Sequence, residues 1–326
     1  MQPGRTHPRP ADPNGSQLPC EVPVPVSPNK PSKRAARAAL SHFYRPADVA
    51  ADLANIGPVD LWQDLAADPS SRLAGYRPEE ELSAARLTAD FVIPGDAEWP
   101  AALDALGDAC PLGLWVRGSG DLADLSAHAV AVTGRRNSSA SGTATAAQLT
   151  RELIDAGRTV TSALSYGIDT AAQHAAHAVP APTVAVLPCG LDSCHPHNQT
   201  ELLHSVVNRG GVAVSAYRPG TPASRNTLAA TAQLLAALAG AVVLVEPAPD
   251  PSTVPLEAAQ AAHRMGRPVL LLNSADIDAA AGHARRATRG RGGRRRPGTA
   301  GEAAQLLESV QAHRAASTAD VIAALT

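Results

Sequence analysis

A chain of 326 residues with 44% hydrophobic and 18% charged content is long enough to bury a core and too apolar to be disordered throughout. Its 28 basic and 30 acidic residues leave a net charge of −2, so any positive surface that could hold nucleic acid must be local, and an aromatic content of 3% argues against an extended base-stacking sheet. The absence of a long apolar run speaks against a membrane span. The lack of an apolar core in the first residues, with four scattered cysteines, points to reduced thiols in a cytoplasm.

Residues 1–34 hold nine prolines and end on Lys30, Lys33 and Arg34. Proline at this density removes backbone donors and blocks helix, so the stretch is expected to be a disordered tail. From 35 to 88 the apolar residues fall at helical spacing, through Leu40 and Phe43, Val49, Leu53 and Ile56, then Leu61, Trp62 and Leu65. Gly57-Pro58 punctuates two helices, and a small helical region is the expectation.

From Phe91 the pattern changes. Short apolar runs at Phe91-Val92-Ile93, Leu114-Trp115-Val116, Val130-Ala131-Val132, Val160-Thr161, Val184 to Leu187, Val212 to Val214, Val242 to Val245 and Val269 to Leu272 alternate with Ala-rich helical patterns. The helices are expected near 142–157, 169–178, 198–209, 226–239 and 255–266. Strands apolar on both faces and separated by helices predict a doubly wound, mostly parallel α/β sheet over 89–275. The pattern then stops. Residues 276–300 read as a flexible Arg/Gly-rich linker, because 285–296 carry seven arginines and three glycines, and 301–326 read as a short helical segment. No internal repeat is present.

In such sheets ligands lie where strands run into helix N-termini. The loop Thr133 to Gly142 combines glycines, hydroxyls, Arg135 and Arg136 ahead of a helix, and main-chain amides there with Arg136 suit a phosphate. Neither a dinucleotide fingerprint nor a P-loop is present, so no cofactor is expected. In the next loop, Thr161 to Asp169, Gly167 allows a close backbone approach, and Asp169 can cap a helix or take a ribose. Ala163-Leu164-Ser165-Tyr166-Gly167 also has the outline of a nucleophile elbow, though no oxyanion segment precedes it. A third loop gathers Cys189, Cys194, His195 and His197, but at a spacing foreign to structural zinc sites, so a buried thiol in a surface loop is the simpler reading and no metal is expected.

These residues together resemble the DNA-processing protein A (DprA/Smf) family. The resemblance runs from Ile93-Pro94-Gly95-Asp96 and Trp99-Pro100 through Leu114-Trp115-Val116-Arg117-Gly118, Gly134-Arg135-Arg136 and Gly142 to Gly167-Ile168-Asp169. It continues through Leu187-Pro188-Cys189-Gly190-Leu191-Asp192, Ser215 to Pro222, Val243 to Glu246 and Gly266-Arg267-Pro268 over roughly 91–272. Ser317 to Val321 resembles the family's C-terminal segment, and 35–88 its N-terminal region. The resemblance implies an extended Rossmann-like fold that binds single-stranded DNA without catalysis, forms a homodimer and helps load a RecA-type recombinase in natural transformation. It implies DNA or phosphate contacts by Gly134, Arg135, Arg136, Ser139 and Gly142, by Ser162, Gly167 and Asp169, and by Arg225.

Several positions depart from the family's pattern. Arg135 stands for its serine, Ala163 for a glycine and Tyr166 for a basic residue. Thr231-Ala232-Gln233 replaces Arg-Asn-Arg at the long helix. Each lost cation removes a phosphate contact, and 285–296 could substitute as a basic arm. The alternative is a nucleotide- or phosphosugar-binding Rossmann enzyme that hydrolyses N-glycosides. Its signature is missing here, and Glu246 is the nearest acidic candidate.

Overall fold

The computed structural model describes residues 30–247, 254–272 and 308–325. Of the tail expected over 1–34, residues 1–29 lie outside the described residues, as do the Arg/Gly-rich linker 276–300 and 301–307, whereas Lys33 and Arg34 belong to the first helix.

Three helices come first: α1 (Lys33–Phe43), α2 (Pro46–Ala66) and α3 (Pro78–Ala85). Ser32 caps α1 by accepting from the Ala35 amide at 3.2 Å. Within α2, Gly57 takes φ +77° and Pro58 follows, so the helical run is broken where glycine can enter the left-handed region and proline can restart a helix. Leu40, Val49, Leu61, Trp62 and Leu73 bury a small core between these helices. The Arg34 guanidinium ties α1 to the next segment through both Asp96 oxygens, at 2.7 and 2.9 Å.

Among the described residues nine strands then build one sheet: β1 (Asp90–Val92), β2 (Leu114–Gly118), β3 (Ala129–Gly134), β4 (Thr159–Ser162), β5 (Val184–Val186), β6 (Val212–Ser215), β7 (Ala241–Val245), β8 (Val269–Leu272) and β9 (His313–Ala315). The helices between them are α4 (Leu122–Ala127), α5 (Ala140–Asp155), α6 (Ile168–Ala178), α7 (Thr200–Asn208), α8 (Arg225–Ala237) and α9 (Val254–Arg264), and α10 (Thr318–Ala323) follows β9. The spatial order is β1-β2-β6-β5-β4-β3-β7-β8-β9, with β1–β2 and β2–β6 antiparallel and every other pair parallel. This is the Rossmann-like, mostly parallel sheet that the alternation of strands and helices predicts. The first eight strands coincide with the eight apolar runs.

Alternate strand residues divide the core. Val130, Val132, Val243 and Val245 meet Leu149 and Leu153 of α5 and Ile168 of α6, while Ala131, Val242 and Leu244 meet Leu235 of α8 and Ala259 of α9. Both faces are therefore covered, which is why the strands read as continuous apolar runs. The strand β9 was hidden in a segment expected to be helical. Its His313 and Arg314 are exposed, so no apolar pattern marked an edge strand. Among the described residues, no helix is long and apolar enough to cross a membrane.

After β3 the chain proceeds outward through β4, β5 and β6, then returns to place β7 on the other flank of β3. The order reverses between β3 and β7, and in open α/β sheets that reversal opens a crevice beyond the strands' carboxyl ends.

Candidate functional site

The first loop leaves β3 at Gly134. A Cβ there would lie 1.9 Å from the Val245 carbonyl oxygen, so only glycine lets β3 and β7 approach at the crevice. The chain turns through Arg135 and Arg136 and enters α5, whose cap Ser139 accepts from the Gly142 amide at 2.9 Å. The Ser139 amide itself donates to Oε2 of Glu246 at 2.8 Å, and Arg135 Nη1 donates to Oε1 at 3.0 Å. Glu246 follows β7 directly, is 1% exposed and holds a left-handed φ of +47°. Its carboxylate lies so close to Gly142 that a Cβ there would come within 2.1 Å of Oε2. The amides of a helix N-terminus and a guanidinium favour an anion. In this protein Glu246 supplies one.

Arg136 has the opposite situation. Its side chain is exposed and makes no ion pair or hydrogen bond among the described residues. Its charge acts on Asp169 and on His195, whose pKa lies below the usual imidazole value through burial first and Arg136 second.

The second loop, between β4 and α6, is bound to the first through its backbone. Gly167 has φ +76°, and a Cβ there would lie 2.2 Å from the Arg135 carbonyl oxygen and 2.5 Å from that of Arg136. The Ile168 amide donates to the same Arg135 oxygen at 3.2 Å. Asp169, 2% exposed, accepts from the Ser165 amide through Oδ2 at 3.2 Å, while Oδ1 has no hydrogen-bond partner among the described residues. Burial pushes its carboxyl up to about 6, against the opposing pull of Thr133, Ser165 and Arg136. The Thr161 and Ser162 hydroxyls are buried and likewise without a partner among the described residues, while that of Thr133 is near enough to pull on the Asp169 carboxyl. Ser162 and Asp169 thus support the loop from beneath, and neither presents its side chain to solvent. Asp169 caps no amide of its own helix start in the way expected; it reaches back to the Ser165 amide.

Tyr166 is 39% exposed beside Gly167, and its hydroxyl donates to Asn198 Oδ1 at 2.6 Å. Behind it, a groove of about 540 Å³ runs between α5 and α6, with Arg151 and His174 on its walls. Ser165, the centre of the elbow-like segment, has no histidine hydrogen-bonded to it among the described residues.

In the third loop Cys189 and Cys194 are buried, and burial pushes the Cys194 thiol up to about 12. A thiolate is disfavoured there, and no group of three or more His, Cys, Asp or Glu is placed to hold a metal ion among the described residues. Arg225 opens α8 on the helix that follows β6, exposed and with no ion pair among the described residues. β6 lies three strand positions from β3 and runs parallel to it, so Arg225 and Arg136 both follow carboxyl ends of parallel strands.

The structure therefore brings Gly134, Arg135, Ser139 and Gly142 together around Glu246, and Gly167 against the Arg135 and Arg136 carbonyls. Two features escaped the sequence. The sequence offers Glu246 as an acidic candidate for hydrolysis but not as the counter-ion of Arg135, and His195 as a metal ligand but not as a neighbour of Arg136.

A family model described as DNA recombination-mediator protein A matches residues 90–290. A Mycobacterium tuberculosis (strain H37Rv) protein bearing the DprA name is 36% identical over 166 residues, 48% of this chain and 42% of that protein. Protein Smf of Escherichia coli K12 is 32% identical over 182 residues, 56% of this chain and 47% of Smf. The matched region thus spans less than half the length of these curated relatives. The crystal structure of DNA processing protein A from Streptococcus pneumoniae superposes with a TM-score of 0.65 at 22% identity, covering 90% of this chain and 98% of that one. That from Helicobacter pylori, described for its single-stranded DNA binding mode, gives 0.55 at 22% identity over 72% of this chain and 95% of that one. At such identities the likeness is one of fold.

Proposed function

The chain belongs to the DNA recombination-mediator protein A (DprA/Smf) family, and from that premise we propose that it binds single-stranded DNA without sequence preference along the carboxyl edge of its parallel sheet. The observation that carries this reading is Arg136, an exposed guanidinium where two loops meet, in no ion pair or hydrogen bond among the described residues. Arg225 stands on the same edge. Guanidinium groups that grip phosphates without reading base edges give sequence-tolerant, salt-sensitive binding. The described binding mode of the Helicobacter pylori relative supports the same substrate.

The reading extends to a non-catalytic role in DNA uptake and recombination, with a homodimer delivering strands to a RecA-type recombinase in the cytoplasm. Hydrolysis of an N-glycoside has no comparable support, since Glu246 is buried and bound to Arg135 and the Ser139 amide. Titration of fluorescent oligo-dT over a salt series tests the proposal. Binding is expected to weaken steeply with salt, and Arg136→Ala to flatten the log–log slope by about 0.7, one phosphate's worth on a single strand. Unchanged affinity and slope in both Arg136→Ala and Arg225→Ala would overturn it.

A further inference from the structure

The reversal of strand order between β3 and β7 marks where an α/β sheet receives a ligand. In this protein that position is filled by the chain itself. Glu246 lies immediately beyond β7, 1% exposed, with one carboxylate oxygen on the Ser139 amide at 2.8 Å and the other on Arg135 at 3.0 Å. The Arg135 side chain is 34% exposed, so the cation opens to solvent while its counter-charge does not. A phosphate arriving from solvent would need the same two donors, an amide at a helix start and a guanidinium.

We propose that Glu246 is an internal competitor for strand phosphates, occupying the donors of Arg135 and Ser139 and thereby leaving Arg136 as the cation of this loop that grips DNA. This rests on the single-strand reading above for its ligand. It explains why adjacent arginines on one loop are not equivalent. Arg135 is electrically satisfied within the protein and Arg136 is not. A carboxylate and a phosphate cannot share the site, because Oε2 already lies against the Cα of Gly142 with no room for even a Cβ.

The experiment uses the full chain, with Glu246→Gln, the double variant Glu246→Gln with Arg135→Gln, and two probes. With inorganic pyrophosphate, a thermal shift of several degrees is expected for Glu246→Gln and is expected to be absent from both the native protein and the double variant. With oligo-dT, Glu246→Gln is expected to steepen the salt slope by about 0.7, and the double variant to restore the native slope. A native slope together with no pyrophosphate shift in Glu246→Gln would overturn the proposal. Should Glu246→Gln fail to fold by circular dichroism, Arg135→Gln and Arg136→Gln are compared in the native background. Arg135→Gln is expected to change the slope by less than half as much as Arg136→Gln, and an equal or larger change would overturn the proposal. A native protein that does not bind oligo-dT at low salt removes the strand reading alone, and the pyrophosphate arm still decides the role of Glu246.

Discussion

The loops after β3 and β4 each bury one carboxylate at the sheet's carboxyl edge, and they treat it in opposite ways. Glu246, seated in the first, has a guanidinium on one oxygen and a main-chain amide on the other. Asp169, beneath the second, has one amide on Oδ2 and, among the described residues, no hydrogen-bond partner on Oδ1, and burial pushes it up to about 6. A buried charge is tolerated when paired and hydrogen-bonded and is costly otherwise. The first loop is therefore an electrostatic lock and the second a desolvated support, and only the exposed Arg136 between them keeps a charge for an external partner.

Glycine substitution should separate the two loops most sharply. Gly167→Ala places a Cβ 2.2 Å from the Arg135 carbonyl oxygen, in a residue held at φ +76°, so backbone must move. The expected loss of stability in urea unfolding is about 3 kcal/mol. Gly142→Ala, whose Cβ would meet the Glu246 carboxylate at 2.1 Å, displaces a side-chain terminus and gains helix propensity. Its loss is expected to be about half as large. Equal losses would mean that the loops are not joined through the Gly167 backbone.

The second contrast concerns charge. Asp169 has a raised folded pKa, so it favours the folded state fully below its unfolded value near 4, and this advantage disappears as pH rises to about 6. Asp169→Asn retains an acceptor for the Ser165 amide and removes the buried charge. It is expected to be more stable than the native protein by about 2 kcal/mol at pH 7.5, with the difference vanishing near pH 4. Urea titrations at the two pH values check this, and a variant less stable at pH 7.5 would show that Asp169 is as well compensated as Glu246.

The strands were legible because a sheet covered on both faces needs apolar residues on both, and Val130 to Val132 or Val242 to Val245 can be little else. The strand β9 was not, since two of its three residues are polar and exposed at a sheet edge. At the site, the types of residue were legible and their pairing was not. Arg135 and Arg136 look alike in sequence, and what distinguishes them is a carboxylate 111 positions from Arg135. Ser162 and Asp169 suggested contact with a ligand by their chemistry, but strand alternation and the depth of α6's first turn hide both from solvent. Gly167 was legible for its true reason, a close approach of backbone, although the partner it admits is the neighbouring loop.

The smallest effect is expected at the rim of the second loop. Tyr166 stands where the family's pattern has a basic residue, next to Gly167 and 39% exposed, with its hydroxyl on Asn198. Tyr166→Lys places a cation beside the crevice and removes an exposed hydrogen bond whose net worth is about 1 kcal/mol or less. Stability should therefore hardly change, while the oligo-dT salt slope should steepen by about 0.7 if a strand phosphate passes within reach of this loop. The comparison between loops makes the outcome informative. The first loop's added cation, Arg135, is cancelled from within by Glu246, whereas the second loop places no ion-paired carboxylate on Tyr166, so a lysine there keeps its charge for the strand. A slope unchanged in Tyr166→Lys but flattened in Arg136→Ala would place the strand on the first loop's side of the crevice, between β3 and β7, and away from the groove of α5 and α6.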